Sequence, residues 1–122
     1  MATYEKYEKY AAFRKMGLRP QRAVEYARII STYKRLKDLD LIHDHFEIEE
    51  DGTTVVQMRC WCPGCGNFRE VVDTILKPGE SPDPLRNLWV LDLMEVANSQ
   101  IRYHLMDFGV NDPVDLFRWR CV

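Results

Sequence analysis

At 122 residues, with 46% hydrophobic and 30% charged positions, the chain has the balance of one globular domain, which excludes a disordered protein. No apolar run nears the roughly 18 residues of a membrane span, and MATYEKYEKY lacks the apolar core of a secretory signal, so a soluble cytoplasmic protein without a membrane partner is expected. The net charge of −2 hides a polarity: residues 1–40 hold ten Lys/Arg against five Asp/Glu, residues 41–58 hold five acids and no Lys/Arg, and residues 78–122 hold seven acids against four Arg. A polyanionic partner would meet the first third.

The spacing predicts a helix over 3–16, where Tyr4, Tyr7, Tyr10 and Phe13 recur every three positions. Gly17 suits the position after its last turn, and Pro20 the first turn of a second helix that runs to about Asp38 on the stripe Ala23, Tyr26, Ala27, Ile30 and Tyr33. The period then changes. Ile42, Phe46 and Ile48, then Val55 and Trp61, flank Asp51-Gly52, a two-residue hairpin signal. Asn67 to Leu76 reads as a third strand, which puts CPGCG at the tip of a second hairpin.

KPGESPDP is the one linker-like stretch, and Asp83 reads as the cap of a long helix with Pro84 in its first turn. That helix is expected to reach Phe108 and to stop at Gly109. Val90, Met94, Ala97, Ile101 and Phe108 trace its buried face, Leu88, Leu91 and Leu93 widen it, and His104 falls on it as a core histidine. The predicted architecture is α+β in a single domain over 1–122. It comprises a basic N-terminal helix pair (1–40), a three-stranded antiparallel meander with the CPGCG knuckle at one hairpin tip (41–77), a long C-terminal helix packed on the sheet (83–109) and a tail (110–122).

Residues 58–67, MRCWCPGCGN, set three cysteines within six positions. A CxxC turn aims both sulfurs at one centre, proline stiffens it, and the glycines let backbone amides face the thiolates. Cys62-Pro63-Gly64-Cys65-Gly66 resembles the knuckle of zinc ribbons and rubredoxin-like sites, a resemblance that implies Zn²⁺ on Cys62 and Cys65. A ribbon repeats its knuckle, and this sequence holds no second CxxC, so further ligands must come from elsewhere.

With Asp51-Gly52 as a two-residue turn, residue 48 faces 55 and His43 faces Cys60. His43, His45, Cys60 and Cys62 then share one sheet face. Ile42, Phe46, Ile48, Val55 and Trp61 would form the core face, with Asp44 opposite Arg59. The expected site is one structural Zn²⁺ held by His43, Cys60, Cys62 and Cys65, with His45 and Cys121 as alternates. Three other readings stay open: a redox dithiol, a zinc shared between the CxxC turns of two copies, and a knuckle that binds nothing.

No glycine-rich phosphate loop, GxSxG elbow or HExxH is present, and the deaminase pattern lacks its HxE, which points away from an enzyme. The turn GLRP between two helices, with Arg19 in it and Arg22, Arg28 and Arg35 after it, suggests a helix-turn-helix facing nucleic acid. The hairpin tip Glu49-Glu50-Asp51 is acidic where a DNA-binding wing is basic. Phe117 and Trp119 near the C-terminus are candidate protein-contact anchors.

The expected function is a non-enzymatic, zinc-stapled binding module that engages a protein complex. Nucleic-acid binding is the alternative, and a metal-bridged homodimer the second alternative. A single knuckle in an otherwise idiosyncratic sequence also resembles, in style, small phage and mobile-element proteins. That resemblance implies an inhibitor of a host system, acting in the host cytoplasm.

Overall fold

The computed structural model describes the backbone of residues 2–107 and the side chains of residues 7–103. The elements are α1 (Ala2–Lys15), α2 (Pro20–Asp38), β1 (Ile42–Ile48), β2 (Thr54–Cys62), β3 (Asn67–Leu76) and α3 (Leu88–Asp107). The strands form one antiparallel sheet in the order β1-β2-β3, with α2 and α3 packed on it and α1 against α2. The fold is the expected α+β arrangement. Among the described residues no helix is long and apolar enough to cross a membrane.

In α1, Phe13 is fully buried, Tyr10 half-buried and Tyr7 72% exposed. A spacing of three falls short of the 3.6-residue turn, so the row of rings walks off the core side. The helix closes with Leu18 N–H donating to Phe13 O (3.2 Å) and Gly17 N–H to Arg14 O (3.0 Å), the paired bonds of a Schellman end. α2 buries Ala23, Ala27, Ile30, Tyr33 and Leu36 at helical spacing. It ends with the same pair of bonds, Leu41 N–H to Leu36 O and Asp40 N–H to Lys37 O, both 2.9 Å. Asp40 therefore sits at φ 62°, a left-handed position that aspartate tolerates better than most residues.

The first hairpin differs from the sequence expectation by one residue. Ile42 pairs with Cys60, His43 with Arg59 and Ile48 with Thr54. Glu49 N–H donates to Thr53 O (2.8 Å) and Gly52 N–H to Glu49 O (3.0 Å), so the loop is Glu50-Asp51-Gly52, three residues long. Gly52 takes φ 88°, the left-handed last position of a three-residue hairpin loop, and the Thr53 amide and hydroxyl both donate to Asp51 Oδ1. Because side chains alternate, this single residue exchanges the faces of β2 relative to β1. The core face carries Ile42 with Thr54, Val56, Met58, Cys60 and Cys62 of β2, all buried, while Val55 and Trp61 lie on the outer face. Asp44 sits opposite Met58 instead of Arg59. It is held there by the Tyr33 hydroxyl (2.5 Å) and by Lys37 (3.0 Å), both from α2.

A bulge at Val71 shifts the second pairing between Met58–Val72 and Arg59–Glu70. Beyond it Arg69 and Asn67 stand beside Cys60 and Cys62, and Phe68 joins Trp61 on the outer face.

The start of α3 also differs. Asp83 caps a single turn, accepting from Leu85 N–H at its side chain and from Arg86 and Asn87 N–H at its carbonyl. The α-helix proper begins at Leu88, with the Asn87 side chain accepting from Trp89 N–H (3.2 Å). Val90, Leu91, Leu93, Met94, Ala97 and Ile101 are buried as expected, and Leu88 is exposed. Phe108 and Gly109 lie outside the described residues, and so does the side chain of His104.

Candidate functional site

The knuckle is the tip of the β2–β3 hairpin. Cys65 N–H (3.2 Å) and Gly66 N–H (2.9 Å) both donate to Cys62 O, a tight turn that Gly66 completes at φ 66°. The turn brings the two thiols together, with Cys65 exposed and Cys62 just under the surface. Burial pushes the Cys62 thiol up. The backbone amides of Cys65 and Gly64, the Cys65 thiol and the Arg69 guanidinium act against that, and the net shift is downward. Amides and a cation aimed at one sulfur favour its thiolate, the form that binds metal or attacks an electrophile.

The other expected ligands stand elsewhere. Cys60 is fully buried in the core, where its thiol donates to Ala97 O of α3 at 3.5 Å and burial raises its pKa to about 12. His43 points to the opposite face of the sheet, stacked on Phe68 with ring centroids 3.9 Å apart and its Nε2 2.5 Å from Asp40 Oδ1. His45 lies on that same face, with Nε2 3.0 Å from Glu47 Oε2. The cause is the three-residue loop: the pairing that would set His43 opposite Cys60 is displaced by one position. Cys121 lies outside the described residues. Among the described residues no group of three or more His, Cys, Asp or Glu side chains converges as a metal site, so the knuckle brings two thiols and no third ligand.

The arginines do not form one face. Arg19 precedes α2 without a side-chain capping bond, and Arg22 lies 5.8 Å from the Tyr26 ring. Six residues on, Arg28 is turned about 120° from Arg22 around the helix. Arg28 and Arg35 line a cavity between α2 and α3, in the company of Glu25 and Glu95. The tip residues Glu49, Glu50 and Asp51 are exposed, as their charge requires.

A stripe on α3 escaped the sequence reading. Trp89, Val96 and Tyr103 are spaced by seven and are 42%, 42% and 63% exposed. Residues seven apart differ by only about 20° around a helix, so the three side chains fall on one outward line. The heptad spacing is present in the sequence, overlaid by the wider apolar face of Val90, Met94, Ala97 and Ile101. The chain matches no family model, no curated protein and no solved structure.

Proposed function

We propose that the chain is a non-enzymatic protein-binding module that works as two copies clasped through one Zn²⁺ shared between their CPGCG knuckles. The observation that carries this reading is the make-up of the knuckle: two neighbouring thiols at a hairpin tip, Cys65 exposed and Cys62 just beneath it and favoured as thiolate, with no third ligand beside them among the described residues. A structural zinc takes four ligands, and thiolates are its preferred donors. Two copies of Cys62 and Cys65 supply four. Cys62 and Cys65 of each copy would hold the zinc, which would join and stiffen the two tips, and the amides of Gly64 and Cys65 face the Cys62 sulfur.

The stripe of Trp89, Val96 and Tyr103 supports a further protein as the partner of the pair, because exposed Trp and Tyr in line are the side chains that dominate protein interfaces. A nucleic acid has less support, since Arg28 and Arg35 share their cavity with two glutamates and Arg22 faces another way.

Light scattering on the purified protein with and without EDTA tests the pairing: the account expects a dimer that falls to monomer on chelation. The partner face is tested by affinity capture with Trp89→Ser and Tyr103→Ser. Each should lose the captured complex while keeping the dimer, and capture unchanged in both variants contradicts that face.

A further inference from the structure

The cavity between α2 and α3, about 490 Å³, is of the size that holds a small molecule. Its wall carries Arg28, Thr32 and Arg35 of α2 and Arg102 of α3, with Ile29 and Ile101 as apolar lining. Glu25 and Glu95 also line it, so three arginines face two glutamates and the lining is one charge positive. Glu95 is already neutralised, because Arg102 pairs with it. Arg28 has no carboxylate partner among the described residues.

Asn98, on the same lining, is 3% exposed and breaks the apolar row of Met94, Ala97 and Ile101. Its Nδ2 donates to Ile29 O at 3.2 Å. That bond fixes which way the amide faces, since the flipped amide would set two acceptors against each other. Its Oδ1 is left buried with no hydrogen-bond partner. A buried acceptor without a donor costs stability, and a leucine would fill such a position without that cost. An asparagine with a buried, unbonded acceptor, on the same cavity lining as an arginine that has no carboxylate partner among the described residues, is what a binding site needs.

We propose that this cavity binds a small organic anion whose acid group lies next to an N–H or O–H donor. The acid, a carboxylate or a phosphate, sits on the Arg28 guanidinium with Thr32 beside it. The donor meets Asn98 Oδ1 while Asn98 Nδ2 stays on the carbonyl of Ile29, and the ligand's carbon lies against Ile29 and Ile101. Because Asn98 is tied to the carbonyl of Ile29, the acceptor and the neighbouring Arg28 are held at the same level of α2, which sets the short spacing between the ligand's two groups.

The test is a titration of the ¹⁵N-labelled full chain with three probes: N-acetylglycine, which carries a carboxylate and an adjacent N–H, inorganic phosphate, which carries its own O–H, and acetate, which has no donor. The expected result is saturable movement of the Asn98 side-chain amide and the Arg28 Nε–H signals. At least one of the first two probes should bind about fivefold or more tighter than acetate, the worth of one added hydrogen bond. The tighter of the two names the acid group. Arg28→Gln, a change on an exposed side chain, should abolish saturation with the spectrum otherwise unchanged, and Asn98→Leu should remove the preference over acetate. No saturation with any probe, equal binding of all three, or binding that survives Arg28→Gln would each overturn the proposal.

Discussion

The Cys60 thiol donates to the carbonyl of Ala97, 3.5 Å away and in the middle of α3, so the strand that ends in the knuckle is fastened to the helix beneath it. Two residues on, Cys62 lies just under the surface, beside the exposed Cys65 at the hairpin tip. One cysteine of the cluster is therefore a core residue and the other two form the site. Alkylation of metal-free protein with iodoacetamide near pH 8 checks this division. Cys65 and Cys62 should be labelled in the folded state, and Cys60, with its pKa raised to about 12, only after denaturation. Labelling of all three at similar rates would contradict it.

Tyr33 makes the fold sensitive to alkali. Burial, then its hydrogen bond to Asp44 and the charge of that carboxylate, raise its pKa well above the ordinary value of 10.0. The folded state thus keeps a proton that the unfolded chain releases. The stability this represents is complete below pH 10 and is lost as pH rises beyond it, by up to about 1.4 kcal/mol per pH unit. Urea unfolding at pH 8 and at pH 11 should show the loss. Tyr33→Phe should cost about 2 kcal/mol at pH 8, by removing a hydrogen bond to a charged acceptor, and should flatten the alkaline decline. An equally steep decline in the variant would assign it to other groups.

The loop at the first hairpin offers a test by deletion. Glu50, Asp51 and Gly52 join Glu49 to Thr53, the pair that continues the observed register. Removing Glu50 leaves Asp51-Gly52, a sequence suited to a two-residue turn, between the same two residues. The deletion should therefore change stability by less than about 1 kcal/mol and preserve the pairing of Ile42 with Cys60. A shift that sets His43 opposite Cys60, seen in cross-strand NOEs, would show that the loop does not determine the register.

Element types were legible because each rests on a period. The stripe Ala23, Ala27, Ile30 and Tyr33 and the run Val90, Met94, Ala97 and Ile101 name their helices, and both are buried as the spacing requires. The register of the first hairpin was not legible from the turn alone, since Asp-Gly serves two loop lengths that differ by one residue. The strand itself held the answer. Gln57 and Arg59 belong to one face of β2, and Thr54, Val56, Met58, Cys60 and Cys62 to the other. Only the pairing with Ile42 opposite Cys60 joins the uncharged face to the Ile42 side of β1. A two-residue turn would set Cys60 on the face of His43; with the observed pairing the two lie on opposite faces, which parts half of the expected metal site from the rest. The bulge at Val71 carries no comparable mark, and the placement of Arg69 beside Cys62 depends on it.

The pairing of two knuckles through one metal is tested most directly by native mass spectrometry of untagged protein purified without chelator, alongside Cys65→Ser. The account predicts one zinc for every two chains, dissociation to metal-free monomers with EDTA, and a Cys65→Ser variant that stays folded, monomeric and empty because Cys60 and the core are untouched. One zinc in each monomer, or a dimer that carries no metal, would contradict it.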